Sequence, residues 1–249
     1  MLLNATTAIS TSKVLLVPYS KWHVPRYHEW MKDEEIQEAT ASEPLTLEEE
    51  YAMQQSWRTD ADKLTFIVCL PQAVQDATNN NDQESETLSD HADSSARMVG
   101  DINLFLRIDD GEEGTSAPQI IGEIELMIAE KKNQRRGFGK ASLLAFLRYV
   151  VAHEKEVVGE FVRRDEGASG VLGDGEGVKF NALSVKIGQK NERSLALFEG
   201  VGFEKVGEEP NYFGEWELRR TGLDLRGVEE QLEGVGVEGY REVVYGRTE

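Results

Sequence analysis

The sequence predicts a single domain of mixed α/β class, in which helices pack against one mixed sheet. Apolar runs rich in β-branched residues recur along the chain, and segments with helical periodicity lie between them. The long polar stretches fall in the connections, where they disturb a sheet least. The 249 residues are enough for one large domain with a buried core. One α/β domain is therefore the simplest architecture that fits the pattern.

The first half of the chain predicts strand, helix, helix, strand. Lys13–Ser20 is a β-rich run that contains a proline, and His23–Thr40 has apolar and aromatic residues at helical spacing. A second helix is predicted to begin near Thr46, because Glu49 three positions later completes the pattern of a capping box. Lys63–Leu70 is a continuous apolar run, as expected for a strand inside a sheet.

The second half predicts two long neighbouring strands, then a helix, a strand, a helix and two paired strands. The best amphipathic helix in the sequence is the one that follows the two long strands. The segments are, in order, Arg97–Ile108, Ile120–Glu130, Ala141–Lys155, Phe180–Ile187, Asn191–Gly200, Phe203–Gly207 and Tyr212–Arg220.

Two segments and the C-terminal end interrupt this pattern. Pro71–Arg97 is polar and acidic and nearly free of aromatic residues, which predicts a disordered insertion. Val158–Val178 is rich in glycine and acidic residues and predicts a second loose insertion. The predicted domain is 10–220, and the residues from 221 to 249 are predicted to form an acidic, glycine-rich tail that ends in a short strand at Arg241–Tyr245.

The composition argues against several classes of function. The formal net charge of −19 does not suit a nucleic-acid surface, because such surfaces are basic. It suits a basic or amine-bearing partner better, but the simpler explanation is that the charge serves solubility. The single cysteine, Cys69, lies in an apolar run and cannot form a disulfide framework or a multi-cysteine metal site. His23 and His28 are the only closely spaced histidines, and their spacing is a poor match to a zinc site.

Neither a membrane span nor a signal peptide is visible. No apolar run approaches the ~20 residues that cross a bilayer, and the N-terminal stretch lacks a basic start. We therefore predict no metal, no nucleic-acid partner and no membrane association. The sequence predicts a soluble intracellular protein of the cytoplasm, with the nucleus left open.

The segment from Gln134 to Lys140 places two arginines and a lysine around Gly137 and Gly139. It follows a strand and precedes a helix, so backbone N–H groups and a partial positive charge gather where an anionic group can bind. The Walker pattern and the three-glycine Rossmann pattern are both absent. The two glycines alone fit a structural turn as well as a ligand site.

The ordered combination of motifs is more specific than this loop alone. Gln134 to Gly139 has the form Gln/Arg-x-x-Gly-x-Gly/Ala, and Asn191-x-x-Ser194 opens a later helix that ends in Gly-Phe. With the segments "VPRYHEWM", "ASEPLTLEEEYAMQ", "GEIELMIAE" and "KIGQKNERS", the sequence resembles the GCN5-related N-acetyltransferase (GNAT) superfamily. It is most similar to the N-acetyltransferase 9-like branch, over roughly residues 10 to 220 outside the insertions.

The resemblance implies a GNAT-like, mostly antiparallel sheet that splays to hold acetyl-CoA between the strands Ile120–Glu130 and Phe180–Ile187. The diphosphate is then expected on the backbone N–H groups of the glycine loop, with the loop cations screening its charge. The pantetheine arm is expected to pair with the preceding strand. The residues so implied are Met127, Ile128, Ala129, Gln134, Arg135, Arg136, Gly137, Phe138, Gly139, Lys140, Asn191 and Phe198.

Acetyl transfer to an amine needs a base, because an amine is mostly protonated at neutral pH. Glu123 and Glu125 lie two residues apart on one strand and therefore share a face. The resemblance favours Glu123 as the base and Glu125 as the alternative. Equally, one or both glutamates could have no catalytic role and simply lie on a solvated face of the sheet. Phe198 stands where many members of the superfamily have a tyrosine that protonates the thiolate. Ser194, or a water molecule, is then the candidate acid.

The sequence therefore predicts an acetyl-CoA-dependent N-acetyltransferase whose acceptor is a protein or peptide amine, most simply an α-amine. The acidic first helices and the last hairpin are the segments expected to receive this amine. The alternative is a non-catalytic interaction protein on the same scaffold that binds CoA weakly or not at all. Phe198 favours the alternative, whereas Glu123 and the intact glycine loop favour the enzyme.

Overall fold

The computed structural model describes residues 1–72, 88, 91–109, 118–173 and 177–247. Within these ranges the chain forms a nine-stranded sheet with helices on both faces. The strands are β1 Thr7–Ser10, β2 Leu15–Pro18, β3 Lys63–Cys69, β4 Met98–Asp109, β5 Gln119–Ile128, β6 Phe180–Gly188, β7 Glu204–Lys205, β8 Glu215–Arg220 and β9 Arg241–Val244.

The strand order across the sheet is β7-β8-β6-β5-β4-β3-β2-β1-β9. Each neighbouring pair is antiparallel except β5 and β6, which run parallel. The mixed, mostly antiparallel sheet that the sequence predicts is confirmed. The helices are α1 Val24–Trp30, α2 Glu34–Thr40, α3 Leu47–Thr59, α4 Phe138–Ala152, α5 Glu154–Arg164, α6 Glu166–Leu172, α7 Glu192–Glu199 and α8 Leu225–Gly234.

The two faces of the sheet bury separate apolar clusters. Alternate residues of a strand point to opposite faces, so Ile102 and Leu104 of β4 face the cluster that contains α4. The other face carries α1, whose Tyr27 and Trp30 pack over Ile67 of β3. The helices α4, α5, α7 and α8 therefore lie on one face, and α1 packs on the other with Trp57 of α3 beside it.

The predicted helices of the first half are present, with one difference. At the start of α3, the Thr46 hydroxyl accepts from the N–H of Glu49, and the Glu49 carboxylate accepts from the N–H of Thr46, as the capping box predicts. The predicted helix His23–Thr40 is divided into α1 and α2. Asp33 takes an extended conformation between them and its carboxylate caps α2 by accepting from the Glu35 N–H.

The prediction of a loose insertion over Val158–Val178 is wrong. The last part of α5 and all of α6 occupy most of this range, and Val158, Phe161 and Ala168 are buried. Of the predicted insertion 71–97, the positions 73–87 and 89–90 lie outside the described residues. Its last part, 91–97, is ordered against the core, because Asp93 is buried and hydrogen-bonded there.

The residues on both sides of the predicted domain join the same sheet. The strand predicted at Arg241–Tyr245 is present as β9, which pairs with β1. The sequence reading missed β1 itself and also α8, whose Val228 and Leu232 are buried in the cluster that contains α4. The predicted bounds 10–220 thus stop short of three elements that pack onto this sheet.

No helix within the described ranges has the length and apolar composition needed to span a bilayer.

Candidate active site

The sheet opens into a cleft between β5 and β6. Their parallel ladder ends at the pair Glu123 and Ser184, although β5 continues to Ile128 and β6 to Gly188. Beyond that pair, each strand has a partner on its outer side only, β4 for β5 and β8 for β6. The inner backbone edges are therefore available to an extended ligand that inserts as an additional strand.

The open edge of β5 presents alternate residues to this cleft. The Ala129 N–H donates to the Val99 carbonyl at 3.0 Å, so it faces β4 and not the cleft. Successive backbone groups of a strand point to opposite sides, so those of Ile128 and Leu126 face the open side. The Ile128 carbonyl there accepts from the Gln134 side-chain amide at 3.1 Å. Among Met127, Ile128 and Ala129, the backbone geometry favours Ile128 for ligand pairing.

The loop from Gln134 to Lys140 has a backbone suited to an anion. Arg135 has φ of 59° and Gly137 has φ of 83°, and left-handed residues of this kind turn successive N–H groups toward one side. No side chain caps α4, and no described residue accepts from the N–H groups between Arg135 and Lys140. A non-glycine residue with positive φ is uncommon and marks a constrained, often functional loop.

Cations and a narrow gap surround this loop. Lys13, from the turn between β1 and β2, lies near it, since its Cε is 3.6 Å from the position a Cβ would occupy at Gly137. The Arg136 guanidinium lies over the buried Phe138 ring at 5.3 Å. A Cβ at Gly139 would contact Leu197 of α7 at 3.6 Å. The N–H groups, the nearby cations and the glycine that keeps the gap open fit the diphosphate and arm of coenzyme A.

The two predicted base residues lie on the α1 face of β5 but differ in their partners. The Glu123 carboxylate forms an ion pair with Lys186 of β6 at 2.9 Å. The Glu125 side chain is exposed at the cleft, and none of the described residues forms a hydrogen bond or ion pair with its carboxylate. Glu125 is therefore the carboxylate that an incoming amine can reach without breaking an existing ion pair.

Electrostatics also distinguish Glu125. The protein atoms that pack around its carboxylate raise its pKa to about 7, and the negative charges of Asp101 and Glu123 act in the same direction against Lys186. Burial likewise raises the pKa of Asp101 to about 7, against hydrogen bonds from Asn103 and Tyr27. A carboxyl group with a pKa near 7 can both accept and release a proton at neutral pH.

The three predicted residues on α7 have different environments. The Asn191 side-chain oxygen caps α7 by accepting from the Ser194 N–H at 3.2 Å, so its amide NH2 is the group left to face a ligand. Ser194 is half-buried. The Phe198 ring is buried edge-on against Phe203, at 5.1 Å between centroids, and belongs to the core. Leu197, one residue earlier, is the α7 side chain that faces Gly139 across the gap.

An exposed aromatic pair stands beside the cleft. Tyr212 and Phe213 are 97% and 82% exposed at the tip of the β7–β8 hairpin. The Gln189 N–H donates to the Gly214 carbonyl at 2.8 Å, which holds this tip next to the end of β6. Two exposed rings at the entrance of a cleft are the kind of surface that binds a peptide.

The site also contains residues that the sequence reading missed. They are Lys186 from β6, Asp101 and Asn103 from β4, and Lys13 from the β1–β2 turn, and no sequence motif assigned a role to any of them. Only the register of the sheet brings the first three to Glu123 and Glu125. Across the described residues, no group of three or more His, Cys, Asp or Glu side chains has an arrangement that could hold a metal ion.

Comparisons with known proteins agree with this geometry. The family described as an acetyltransferase (GNAT) domain matches residues 13–204. An N-acetyltransferase 9-like protein of Schizosaccharomyces pombe is 39% identical over 242 residues, which cover 89% of this chain and 100% of the relative. The alpha/beta-tubulin-N-acetyltransferase 9 of Homo sapiens is 44% identical over 222 residues, which cover 89% of this chain and 86% of the relative.

The solved structures show the same fold. A spermidine N-acetyltransferase of Vibrio cholerae, crystallised with CoA and spermine, superposes with a TM-score of 0.52 at 14% identity, over 84% of this chain and 94% of that chain. The chain therefore belongs to the GNAT family, in its N-acetyltransferase 9-like branch, and is an acetyl-CoA-dependent N-acetyltransferase.

Proposed function

We propose that this enzyme acetylates the α-amine of a protein or peptide and that Glu125 is its general base. The observation that carries the proposal is the end of the β5–β6 ladder at Glu123, which leaves the unpaired Glu125 carboxylate beside an open cleft. The human relative is named for the acetylation of tubulin, which supports a protein as the acceptor. We place the reaction in the cytoplasm, where new protein amino termini emerge.

The residues proposed for the coenzyme come from four parts of the chain. When bound, acetyl-CoA supplies the acetyl group as an activated thioester. The N–H groups from Arg135 to Lys140 are proposed to bind the diphosphate, with the side chains of Lys13 and Lys140 near it. Ile128 and Leu126 offer their backbone edge to the pantetheine arm, and the Asn191 amide is proposed to donate to the arm from α7.

The chemical roles follow from the two sides of the cleft. Glu125 is proposed to remove a proton from the acceptor ammonium, which makes the nitrogen nucleophilic. Glu123 is proposed to hold Lys186 and to add negative charge near Glu125, which reverses the order that the sequence favoured. Since Phe198 has no proton to give, Ser194 or a water molecule remains the proposed donor to the thiolate.

The proposed acceptor enters between α1 and the β7–β8 hairpin. Tyr212 and Phe213 are proposed to contact the side chains that follow the amino terminus. An α-amine has an ordinary pKa near 8, against about 10.4 for a lysine side chain, so more of it is neutral at physiological pH. Removing a proton from an α-ammonium group therefore costs less free energy than removing one from a lysine side chain.

Glu125→Gln tests the proposal, with Glu123→Gln as the matched control on the same strand. We expect Glu125→Gln to lower kcat/KM by about 100-fold or more, the usual contribution of a general base, and Glu123→Gln to lower it much less. Thiol release is measured with a lysine-containing peptide that has a free amino terminus and with the same peptide blocked at its amino terminus. The affinity for acetyl-CoA, from calorimetry, is expected to be unchanged in both variants.

Two results would contradict the proposal. Full activity of Glu125→Gln would assign the base to another group. Equal turnover of the free and the blocked peptide would show that the lysine side chain, and not the α-amine, is the acceptor.

A further inference from the structure

A set of buried oxygen acceptors lies on the same face of the sheet as Glu125. Asp101 and Asn103 alternate along β4 and therefore share this face, and Asn103 stands directly opposite Glu125 in the register of β4 and β5. Asp101 is 2% exposed and Asn103 is 3% exposed. Asp101 is a diagonal neighbour of Glu125, within reach of the same small ligand group.

These acceptors lack donors. One Asp101 oxygen, Oδ2, accepts from the Asn103 amide at 2.8 Å, and the Tyr27 hydroxyl approaches it at 3.4 Å. The second oxygen, Asp101 Oδ1, and the Asn103 Oδ1 oxygen have no partner in the part of the chain that the structure describes. The Glu125 carboxylate is also without one. Buried polar atoms are normally hydrogen-bonded, so two buried oxygens without a donor, beside the exposed Glu125 carboxylate, indicate a place for a ligand group that donates hydrogen bonds.

The missing group needs several N–H donors and a positive charge. A primary ammonium has three donors and no acceptor, which matches the Asp101 and Asn103 oxygens and the Glu125 carboxylate. We propose that Asp101, Asn103 and Glu125 together bind the acceptor's primary ammonium group, with Asp101 as a positioning residue. This inference rests on the proposed function, because it takes Glu125 as the base that faces the amine.

The surrounding charges leave this site negative. Glu123 on β5 is balanced by Lys186 on β6 at 2.9 Å, and Glu50 on α3 faces His28 on α1 at 3.7 Å. Tyr27, also on α1, is held neutral because burial and the nearby Asp101 raise its pKa well above its ordinary value. An ammonium between Asp101 and Glu125 would supply the cation that the buried Asp101 carboxylate lacks.

The site then has a defined part in the reaction. One proton moves from the ammonium nitrogen to the Glu125 carboxylate, while the Asp101 and Asn103 oxygens accept from the remaining N–H groups. The nitrogen lone pair forms the new N–C bond as the C–S bond of the thioester breaks. Ser194 or a water molecule protonates the departing thiolate and is reprotonated by the second proton that the nitrogen loses, and Glu125 returns its proton to water.

Asp101→Asn, which keeps the shape of the side chain, is the principal test. The control is Asp109→Asn, at the other end of β4, where Asp109 pairs with Arg219 at 3.5 Å. We expect Asp101→Asn to raise the KM for the peptide about tenfold, as for the loss of one charged hydrogen bond. The pH profile of kcat/KM should also shift to lower pH, because Glu125 loses a negative neighbour. The affinity for acetyl-CoA should not change.

The possible results separate this inference from the proposed function. An unchanged KM and an unchanged pH profile in folded Asp101→Asn would overturn the inference even if Glu125→Gln is inactive. If Asp101→Asn does not fold, Asn103→Thr decides: a KM raised about fivefold, at the same acetyl-CoA affinity, supports the site, and an unchanged KM overturns it. If Glu125→Gln is active, the base assignment fails, and the KM of Asp101→Asn then tests amine binding alone.

Discussion

Two glutamates on one strand, two residues apart, have different chemistry because of their neighbours. Glu123 lies where β5 and β6 still pair, so Lys186 is held beside it. Glu125 lies one alternation further along, where β6 has already diverged, and none of the described cations forms an ion pair with its carboxylate. The divergence of two strands thus gives two similar residues different surroundings, and this difference supports Glu125 as the proposed base.

Asp101 gives a prediction about stability. Because burial raises its pKa to about 7, the folded state holds this proton more tightly than the unfolded chain does. Ionising Asp101 therefore destabilises the fold. The effect is absent below the ordinary aspartate pKa near 4, grows as the pH rises, and reaches on the order of a few kcal/mol when Asp101 is fully ionised in the folded state. We expect Asp101→Asn to raise the thermal unfolding midpoint at pH 8 and to raise it much less at pH 5.

This measurement compares the variant with the wild-type protein at both pH values, without substrates. Equal destabilisation at pH 5 and pH 8 would mean that the Asp101 carboxylate stabilises the fold in a way that does not depend on its charge. A higher unfolding midpoint of Asp101→Asn at pH 8 would also support the amine site, because a residue kept at the expense of stability is typical of a functional site.

The sequence could predict the residues that local motifs specify. The glycine loop, the Asn191 cap and the pair Glu123 and Glu125 all follow from short patterns within one element and its flanking turn. Asp101 and Asn103 could not be found in this way. Their importance comes from the register that places them beside Glu125 on a different strand, and register is a tertiary property.

At the scale of elements, β4 and β5 are pressed together at Gly100. A Cβ at this glycine would lie 1.8 Å from the Met127 carbonyl oxygen, far inside any tolerable contact. A side chain there must displace the backbone of β5 at the edge where the coenzyme arm is proposed to bind. We expect Gly100→Ala to weaken acetyl-CoA binding by about tenfold and to destabilise the fold by about 1–3 kcal/mol.

Gly170→Ala in α6 is the matched control, because a Cβ there would have nothing within 4 Å. Alanine suits a helix better than glycine by about 0.5–1 kcal/mol, so this variant should be slightly stabilised and should bind the coenzyme normally. Calorimetry and thermal unfolding on both variants check the prediction. Normal coenzyme affinity in folded Gly100→Ala would show that β5 can shift without consequence for the site.

The prediction of elements succeeded where one signal dominated and failed where two competed. The continuous apolar run located β3, and the capping box located α3. In Val158–Val178 the glycines and acidic residues suggested a loop, although Val157, Val158, Phe161 and Val162 repeat at helical spacing and are buried. Burial of that face against the core outweighs the weak intrinsic preference of the glycines.

At the scale of the whole molecule, Asp93 connects three distant parts of the chain. Its carboxylate accepts from His23 at 3.1 Å, from Trp22 at 3.0 Å and from Tyr245 at 2.5 Å. Arg247 adds an ion pair at 2.6 Å. The last part of the predicted insertion 71–97, the residues just before α1 and the chain after β9 thus meet at one buried carboxylate, which no local pattern in the sequence predicts.

We expect Asp93→Ala to destabilise the protein by about 3–5 kcal/mol, because it leaves several buried donors without an acceptor. Burial opposes ionisation of Asp93, but hydrogen bonds from His23 and Tyr245 outweigh it and hold its pKa well below the ordinary value. This stabilisation is present above about pH 4 and is lost as the pH falls. The difference between wild type and Asp93→Ala in denaturant unfolding should therefore narrow below pH 4.

Glu230→Ala serves as the control for this experiment. Its exposed pair with Arg226 contributes little, so its loss should change the free energy of unfolding by less than about 1 kcal/mol at any pH. If Asp93→Ala behaves like Glu230→Ala, the buried network does not hold the three segments together.

The sheet consists of two blocks, β9-β1-β2-β3-β4-β5 and β6-β8-β7, joined through the short ladder between β5 and β6. Among the strands described, the β5–β6 ladder is the only strand pairing that joins the two blocks. A coenzyme bound in the cleft between β5 and β6 would contact both blocks and so would restrain their relative motion. Acetyl-CoA would then stabilise the fold as well as supply the acetyl group. Without it, the two blocks would separate more readily at the β5–β6 pairing.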